Sequence, residues 1–543
     1  MAIFDINTPV EPDPRAAEEI GALAPEAENE QPETTGSPEE LVSLPAADPL
    51  GRGSGFPLKI ALAIAVIATV LTGARLTGRP NLGLDVSAFQ QVVHLRWPTP
   101  PVAPVPAAPL TPAIALVKPG GKLPPVSAVF SDDSNSLDPF FAALWQLEQV
   151  KSGQTPAASS SVVTVLHYGD SPTTADLITG DIRAQLQQRF GDAGRGYTLV
   201  AKPWAWYGHR GVEITGHGWK MRTGVGLMRQ GIYGLGGAAF EGQPGASSLF
   251  RLTEGGQSSV EIEYLAKPSA GSFAVEADGQ KLLDQSTAAD TQAATSVHIP
   301  LPPGTTTVSL RPTSGSVTLF GADFRTGSGG VLYDSLGLNG ATTSVLARVL
   351  DPNLWKEELD HAAPALIVVN YGSNESSFGN FVHKQYAAEL RLAIQRIRVA
   401  APSVPILIMS PMDRGERSGL DDIETMSTIP EIVAIQRQVA TETHCAFFDT
   451  YDAMGGSGTM ARWFAASPRL VTADLLHPTP QGAPIVASLL VQQLSLGYDR
   501  WKMQHGIALP APAPTSSATP VPASKTVAHR KAVRQRGKKA DTK

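Results

Sequence analysis

Four runs of consecutive apolar residues limit most strongly what this chain can fold into. They are VVTVLHYG (162–169), ALIVVNYG (365–372), PILIMSP (405–411) and CAFFDT (445–450). A strand with one wet face alternates apolar and polar residues, so an unbroken apolar run marks a strand covered on both faces. The covers are visible between the runs. Ile178, Ile182, Leu186 and Phe190 form an i+4 row that stops at Gly191, and Leu390, Ile394 and Ile397 form another. Residues 429–442 and GAPIVASLLVQQL (482–494) also carry helical periodicity. Strands and helices in alternation predict an α/β domain with a parallel sheet between two helical layers.

Residues 220–330 break that rhythm. SVEIEYLAK (259–267), TSVHIPLP (295–302) and TTTVSLRP (305–312) are short alternating runs divided by Gly, Pro and Asp. That pattern predicts an antiparallel β-sandwich. It falls between residues 135–219 and 331–507, so the sandwich is read as an insertion into the α/β domain.

The flanks have a different composition. Residues 1–50 hold twelve acids and one base without periodicity, and residues 1–55 cannot bury enough apolar surface to fold alone. Between Lys59 and Arg75 there is no charge, and residues 56–76 are expected to be an uncleaved membrane anchor. A cleaved signal peptide and a buried core helix are the competing readings of this run. Residues 77–134 form a Pro/Ala-rich spacer, and 508–543 a second linker with a basic end, KTVAHRKAVRQRGKKADTK. That tail is either a solvated end or a contact for an anionic polymer or lipid surface. A net charge of −7 gives no support to nucleic-acid binding by the whole chain. The single cysteine, Cys445, allows no intramolecular disulfide. No Cys-x-x-Cys or His-Glu-x-x-His spacing supports a zinc site, and no cofactor is expected.

In an open parallel sheet, ligands bind beyond the carboxyl ends of the strands. The candidate polar groups follow the apolar runs or lie in the loops between them. Asp170 and Ser171 follow the first run, Gly340 lies in the loop before the second, Asn374 follows the second, and Asp474 and His477 precede the last helix. Ser171 alone could be a helix cap, with Asp170 anchoring the turn through backbone N–H groups. The Asp-x-x-His downstream adds what a serine nucleophile needs, a base and an acid to orient it.

These residues resemble the SGNH/GDSL hydrolase superfamily, through GDS at 169–171, Gly340, GSNE at 372–375 and DLLH at 474–477. Within it the chain is similar to bacterial peptidoglycan and related polysaccharide O-acetylesterases, which share the inserted sandwich and a stretch like AMGGSGTMARW (453–463). The resemblance covers roughly 160–220 and 330–495, and Pro172 departs from the usual residue after the serine. It implies a flavodoxin-like three-layer α/β/α SGNH domain. It also implies a Ser171–His477–Asp474 triad, with an oxyanion hole made of the Ser171 and Gly340 N–H groups and the Asn374 amide. An imidazole suits the base because its protonation changes near neutral pH.

KPWAWYGHRG (202–211) is the densest aromatic patch. Trp204, Trp206 and Tyr207 are read as substrate-binding, since aromatic faces pack on sugar C–H faces, against the commoner use of such residues in cores. His209 competes with His477 as base but lacks an acid three residues earlier. The expected protein is an inner-membrane serine esterase with a periplasmic catalytic domain, removing acetyl groups from a polysaccharide. An O-acetyltransferase using the same triad is the first alternative, and a non-catalytic polysaccharide-binding subunit the second.

Overall fold

A computed structural model describes residues 128–153, 161–226, 231–419 and 422–509. The anchor candidate at 56–76, the spacer up to residue 127, and the second linker with its basic tail from residue 510 lie outside these residues; residues 128–134 of the expected spacer are described and include the strand Phe130–Ser131. Among the described residues, no helix is long and apolar enough to cross a membrane.

The apolar runs form one sheet. Its order is Phe130–Ser131, Ala446–Phe448, Ile406–Met409, Leu366–Asn370, Val162–Gly169, Gly330–Gly337. The last five strands are parallel, and the short Phe130–Ser131 strand adds an antiparallel edge. Numbered along the chain, the parallel strands lie 2-1-3-4-5, the flavodoxin-like order, whose switch point falls between the first and third strands.

Successive side chains point to opposite faces. Val163, Val165, Leu366, Val368, Leu407 and Met409 pack toward the helices Asp138–Lys151, Leu177–Phe190 and Ala483–Gln504. Leu166, Tyr168, Ile367, Val369, Ile406 and Ile408 pack toward Pro352–Ala362, Tyr386–Ala400 and Thr428–Glu442. The i+4 row from Ile178 to Phe190 is buried throughout, and each such side chain contributes about 1.5–3 kcal/mol. Pro352 opens its helix at the first position, and the Asp351 carboxylate accepts from the Asn353 and Leu354 N–H groups.

The alternating runs form two antiparallel sheets. One has five strands, between Gln280–Ser286 at one edge and Val212–His217 at the other. The other is centred on Val317–Arg325 and Ser259–Ala266. The expected start of this region at residue 220 is too late. Gly194–Leu199 already pairs with Val317–Arg325, and Val212–His217 with Ser247–Leu252. Gly194–Leu199 reads GRGYTL, with two glycines, an arginine and a threonine, so it shows neither an unbroken apolar run nor the clean alternation of strands such as Ser259–Ala266. At Gly330 the chain returns to the parallel sheet, where Gly330–Gly337 pairs with Val162–Gly169.

Candidate functional site

The first and second parallel strands end in register, with Gly169 opposite Gly337. Both ends must be glycine for the turn that follows. A Cβ on Gly169 would lie 2.3 Å from Thr173 Oγ1, and one on Gly337 2.5 Å from the Thr174 nitrogen. In the space they leave, Ser171–Thr174 makes a single helical turn, closed by Thr173 N–H to Asp170 O at 3.1 Å. As the first residue of that turn, Ser171 has an N–H with no helical partner.

Ser171 is 7% exposed, and its Oγ lies 2.7 Å from His477 Nε2. His477 Nδ1 lies 2.7 Å from Asp474 Oδ2. The other oxygen, Asp474 Oδ1, accepts from Thr472 Oγ1 at 2.5 Å and from the Leu476 and His477 N–H groups at 3.0 and 3.1 Å. Leu475 takes a left-handed conformation (φ +59°), which lets the chain reverse so that residues three apart face each other. Partial burial alone would raise the Asp474 pKa. The hydrogen bonds from His477, Thr472 and the two N–H groups outweigh it and hold this carboxyl well below the usual carboxylate range. With Nδ1–H donating to Asp474, Nε2 is left to accept from the serine.

Gly340 sits in an exposed turn with φ +76°, and no backbone carbonyl among the described residues takes its N–H. Asn374 is half-buried, and its Nδ2 donates to Ala341 O at 2.8 Å, which brings the two loops into contact and uses one of its two amide protons. Glu375 crosses between the same loops. Its Oε1 accepts from Thr343 N–H and Thr343 Oγ1, both at 2.8 Å, and its Oε2 from Gly372 N–H at 3.1 Å. From outside, Arg414 Nη1 donates to Ser373 O, Ser376 Oγ and Ser377 Oγ at 2.7, 2.9 and 2.8 Å. The sequence reading gave no role to Glu375 or Arg414. GSNE was visible as a motif, but Thr343, which supplies two of the glutamate's three bonds, lies 32 residues back and no local spacing points to it.

Asp170 departs from expectation. Its carboxyl caps no N–H of the turn, and Oδ2 has no hydrogen-bond partner among the described residues. Burial, and then the negative charge of Glu375, push its pKa up to about 7 against the hydrogen bonding of Ser373 and the nearby His477. The turn is held instead by Thr174 Oγ1 donating to Asp170 O, and by Ser335 Oγ donating to Thr173 O at 3.0 Å.

The three aromatic candidates separate. Tyr207 is 3% exposed, and its hydroxyl oxygen accepts from Leu199 N–H at 2.9 Å, so it is a core residue with no face for a substrate. Trp204 is partly buried against the same core. Trp206 is 55% exposed, the only strongly exposed aromatic among the described residues. Its loop is pinned near Ser171: Gly208 N–H donates to Thr174 O at 3.3 Å, and Arg210 N–H to Asp176 Oδ2 at 2.8 Å. Asp176 is itself buried against Arg183 at 2.5 Å, and that cation, with His209, holds its pKa down to about 2 against the effect of burial. His209 belongs to this network. Burial pushes its pKa down to about 4 although Asp176 lies 4.0 Å away, and its Nδ1 faces Arg210 O. It is not bonded to Ser171.

Among the described residues, no group of three or more His, Cys, Asp or Glu side chains could hold a metal ion.

Residues 304–484 match the model of the GDSL-like lipase/acylhydrolase family. A search of curated proteins finds no match. Among solved structures, a peptidoglycan O-acetylesterase is 21% identical, covers 68% of this chain and 98% of its own, and superposes with a TM-score of 0.57. YxiM of Bacillus subtilis is 15% identical over 54% of this chain and 92% of its own, with a TM-score of 0.26. A two-domain esterase active on acetylated mannans, co-crystallised with mannopentaose, is 13% identical over 31% of this chain and 39% of its own, with a TM-score of 0.23. Residues 304–484 are similar to the GDSL-like lipase/acylhydrolase family, and the α/β part of this chain has the SGNH hydrolase fold, similar to that of the peptidoglycan O-acetylesterase and interrupted by an antiparallel β-sandwich.

Proposed function

We propose that the protein is a serine esterase that removes O-acetyl groups from a polysaccharide. The observation that carries this reading is the continuous chain of hydrogen bonds from Ser171 Oγ through His477 to Asp474, 2.7 Å at each step. In the reaction, Ser171 Oγ attacks the acetyl carbonyl and its proton passes to His477 Nε2. Negative charge develops on the carbonyl oxygen. The Ser171 and Gly340 N–H groups and the second Asn374 amide proton are its donors, and one such donor is typically worth about 2.7–4 kcal/mol. His477 returns the proton to the departing sugar oxygen, and the acetyl group stays on Ser171. A water then gives its proton to His477 and attacks the acetyl-enzyme. Acetate leaves, and the proton returns to Ser171 Oγ.

Hydrolysis is favoured over transfer to a second sugar because the base side of the site is wet. The His477 and Asp474 side chains are 35% and 52% exposed, so water has direct access to the base. A polysaccharide is favoured by Trp206, whose ring is free to lie against a pyranose. The anchored arrangement is part of the proposal: N-terminus in the cytoplasm, one span at 56–76, a spacer, and the catalytic domain in the periplasm. Reporter fusions after residue 130 should be active only outside the cytoplasm.

The deciding experiment measures acetate release from acetylated peptidoglycan, cellulose and xylan side by side. Free acetate from at least one polymer, lost in Ser171→Ala, is expected. Acetyl groups appearing on an added sugar acceptor without free acetate would establish transfer instead.

A further inference from the structure

Two loops beside Ser171 at the carboxyl end of the sheet carry oxyanion donors. The loop after Gly330–Gly337 carries Gly340, and the loop after Leu366–Asn370 carries Asn374. Loops of this kind are held only by the bonds they make, and a donor misplaced by a fraction of an ångström loses most of its effect. Glu375 supplies the bonds. It is 1% exposed, and its two oxygens bind opposite loops: Oε1 takes both donors of Thr343, and Oε2 takes the Gly372 N–H. Asn374 Nδ2 to Ala341 O closes the same junction, one residue from Glu375 on one loop and two residues from Thr343 on the other. Thr343 is fully buried, so the Glu375 carboxylate has no water to replace these bonds.

We propose that Glu375 is a positioning residue for the oxyanion hole, tying the Gly340 loop to the Asn374 loop so that their donors converge on one point. The inference rests on the serine-esterase reading. Glu375 touches no reacting atom; it acts by fixing where Gly340 N–H and Asn374 Nδ2 stand. A glutamine there keeps one acceptor oxygen but turns the other position into a donor, so one loop loses its bond while volume is conserved.

The test compares full-length wild type, Glu375→Gln, Thr343→Val and Ser171→Ala. The measurements are kcat and KM for a chromogenic acetyl ester, the inactivation rate by a fluorophosphonate, and a melting curve. The fluorophosphonate matters because its tetrahedral adduct places an oxygen in the same hole. Glu375→Gln should lower kcat about 10- to 100-fold with KM little changed, and slow inactivation by a similar factor. Thr343→Val, which removes one of the three bonds, should move both in the same direction by less. A folded Glu375→Gln protein whose kcat and inactivation rate stay within about twofold of wild type would overturn the proposal. If Glu375→Gln does not fold, unchanged rates in Thr343→Val would overturn it. Failure of the underlying reading looks different: Ser171→Ala would then keep its activity.

Discussion

On one side of Ser171, Asp474 and His477 meet across three residues of chain, with side chains 52% and 35% exposed. On the other, Glu375 and Asp170 are 1% and 2% exposed, and the contacts that shape the loops span 32 and 33 residues. The base side is local and wet; the oxyanion side is distant in sequence and dry. A wet, local pair depends little on the rest of the fold, so changing it should alter chemistry and leave stability alone. A dry junction couples both, because each buried donor or acceptor left alone is penalised.

The largest effect that sharpens this contrast is Asp474→Asn. Asparagine keeps an acceptor for the Leu476 and His477 N–H groups but presents a donor to His477 Nδ1. We expect a fall in kcat of roughly 10³–10⁴-fold with an unchanged melting temperature, read by ester kinetics and calorimetry on one sample. A large loss of stability would break the picture of a self-contained base side.

Next comes Asn374→Ala, across the site. Its amide serves the transition state and also bonds Ala341 O, so two losses should appear together. Pre-steady-state acylation should slow by roughly 10²–10³-fold, and the melting point should drop measurably. Normal acylation in a stable variant would leave the oxyanion to backbone donors alone.

The aromatic loop offers a smaller, paired comparison. Trp206→Ala should raise KM for a polysaccharide several-fold and leave kcat for a small acetyl ester unchanged, since stacking binds ground and transition states alike. Tyr207→Phe should do the reverse of a binding variant. It strands the Leu199 N–H and costs about 1–3 kcal/mol of stability without changing KM. Equal KM effects from both would contradict the separation of these neighbours.

The smallest effect is a pH dependence of stability at the join of the two folds. Asp334, on the parallel sheet, accepts the Tyr197 N–H from the sandwich side at 2.9 Å. Burial, and then Asp323, push its pKa up from 3.8 to about 7. A carboxyl raised on folding is more readily protonated in the native state. Its contribution is therefore fully present below the unfolded value and is lost as pH rises through about 7. Asp334→Asn should lose less melting temperature than wild type between about pH 3 and about pH 8, a window bracketing the two values. Parallel pH curves would remove Asp334 as the source.

What the sequence made legible follows the same division. Unbroken apolar runs marked the parallel sheet because burial on both faces leaves no room for polar alternation, and Ser171, Asp474 and His477 stood out because each lies at a strand end or in a four-residue motif. Glu375 and Thr343 carried no such mark; their partnership exists only once two loops are brought together. Tyr207 was misread because composition does not tell an exposed tryptophan from a buried tyrosine next to it. The sandwich was begun too late because GRGYTL (194–199) shows neither an unbroken apolar run nor the alternation by which the later sandwich strands were recognised.

The account stands or falls on Ser171 as the nucleophile. A fluorophosphonate should label the full-length protein once, and peptide mass spectrometry should find the adduct on Ser171. The folded Ser171→Ala protein should neither label nor release acetate from an acetylated polysaccharide. Labelling at another serine, or acetate release by that variant at the wild-type rate, would contradict the account.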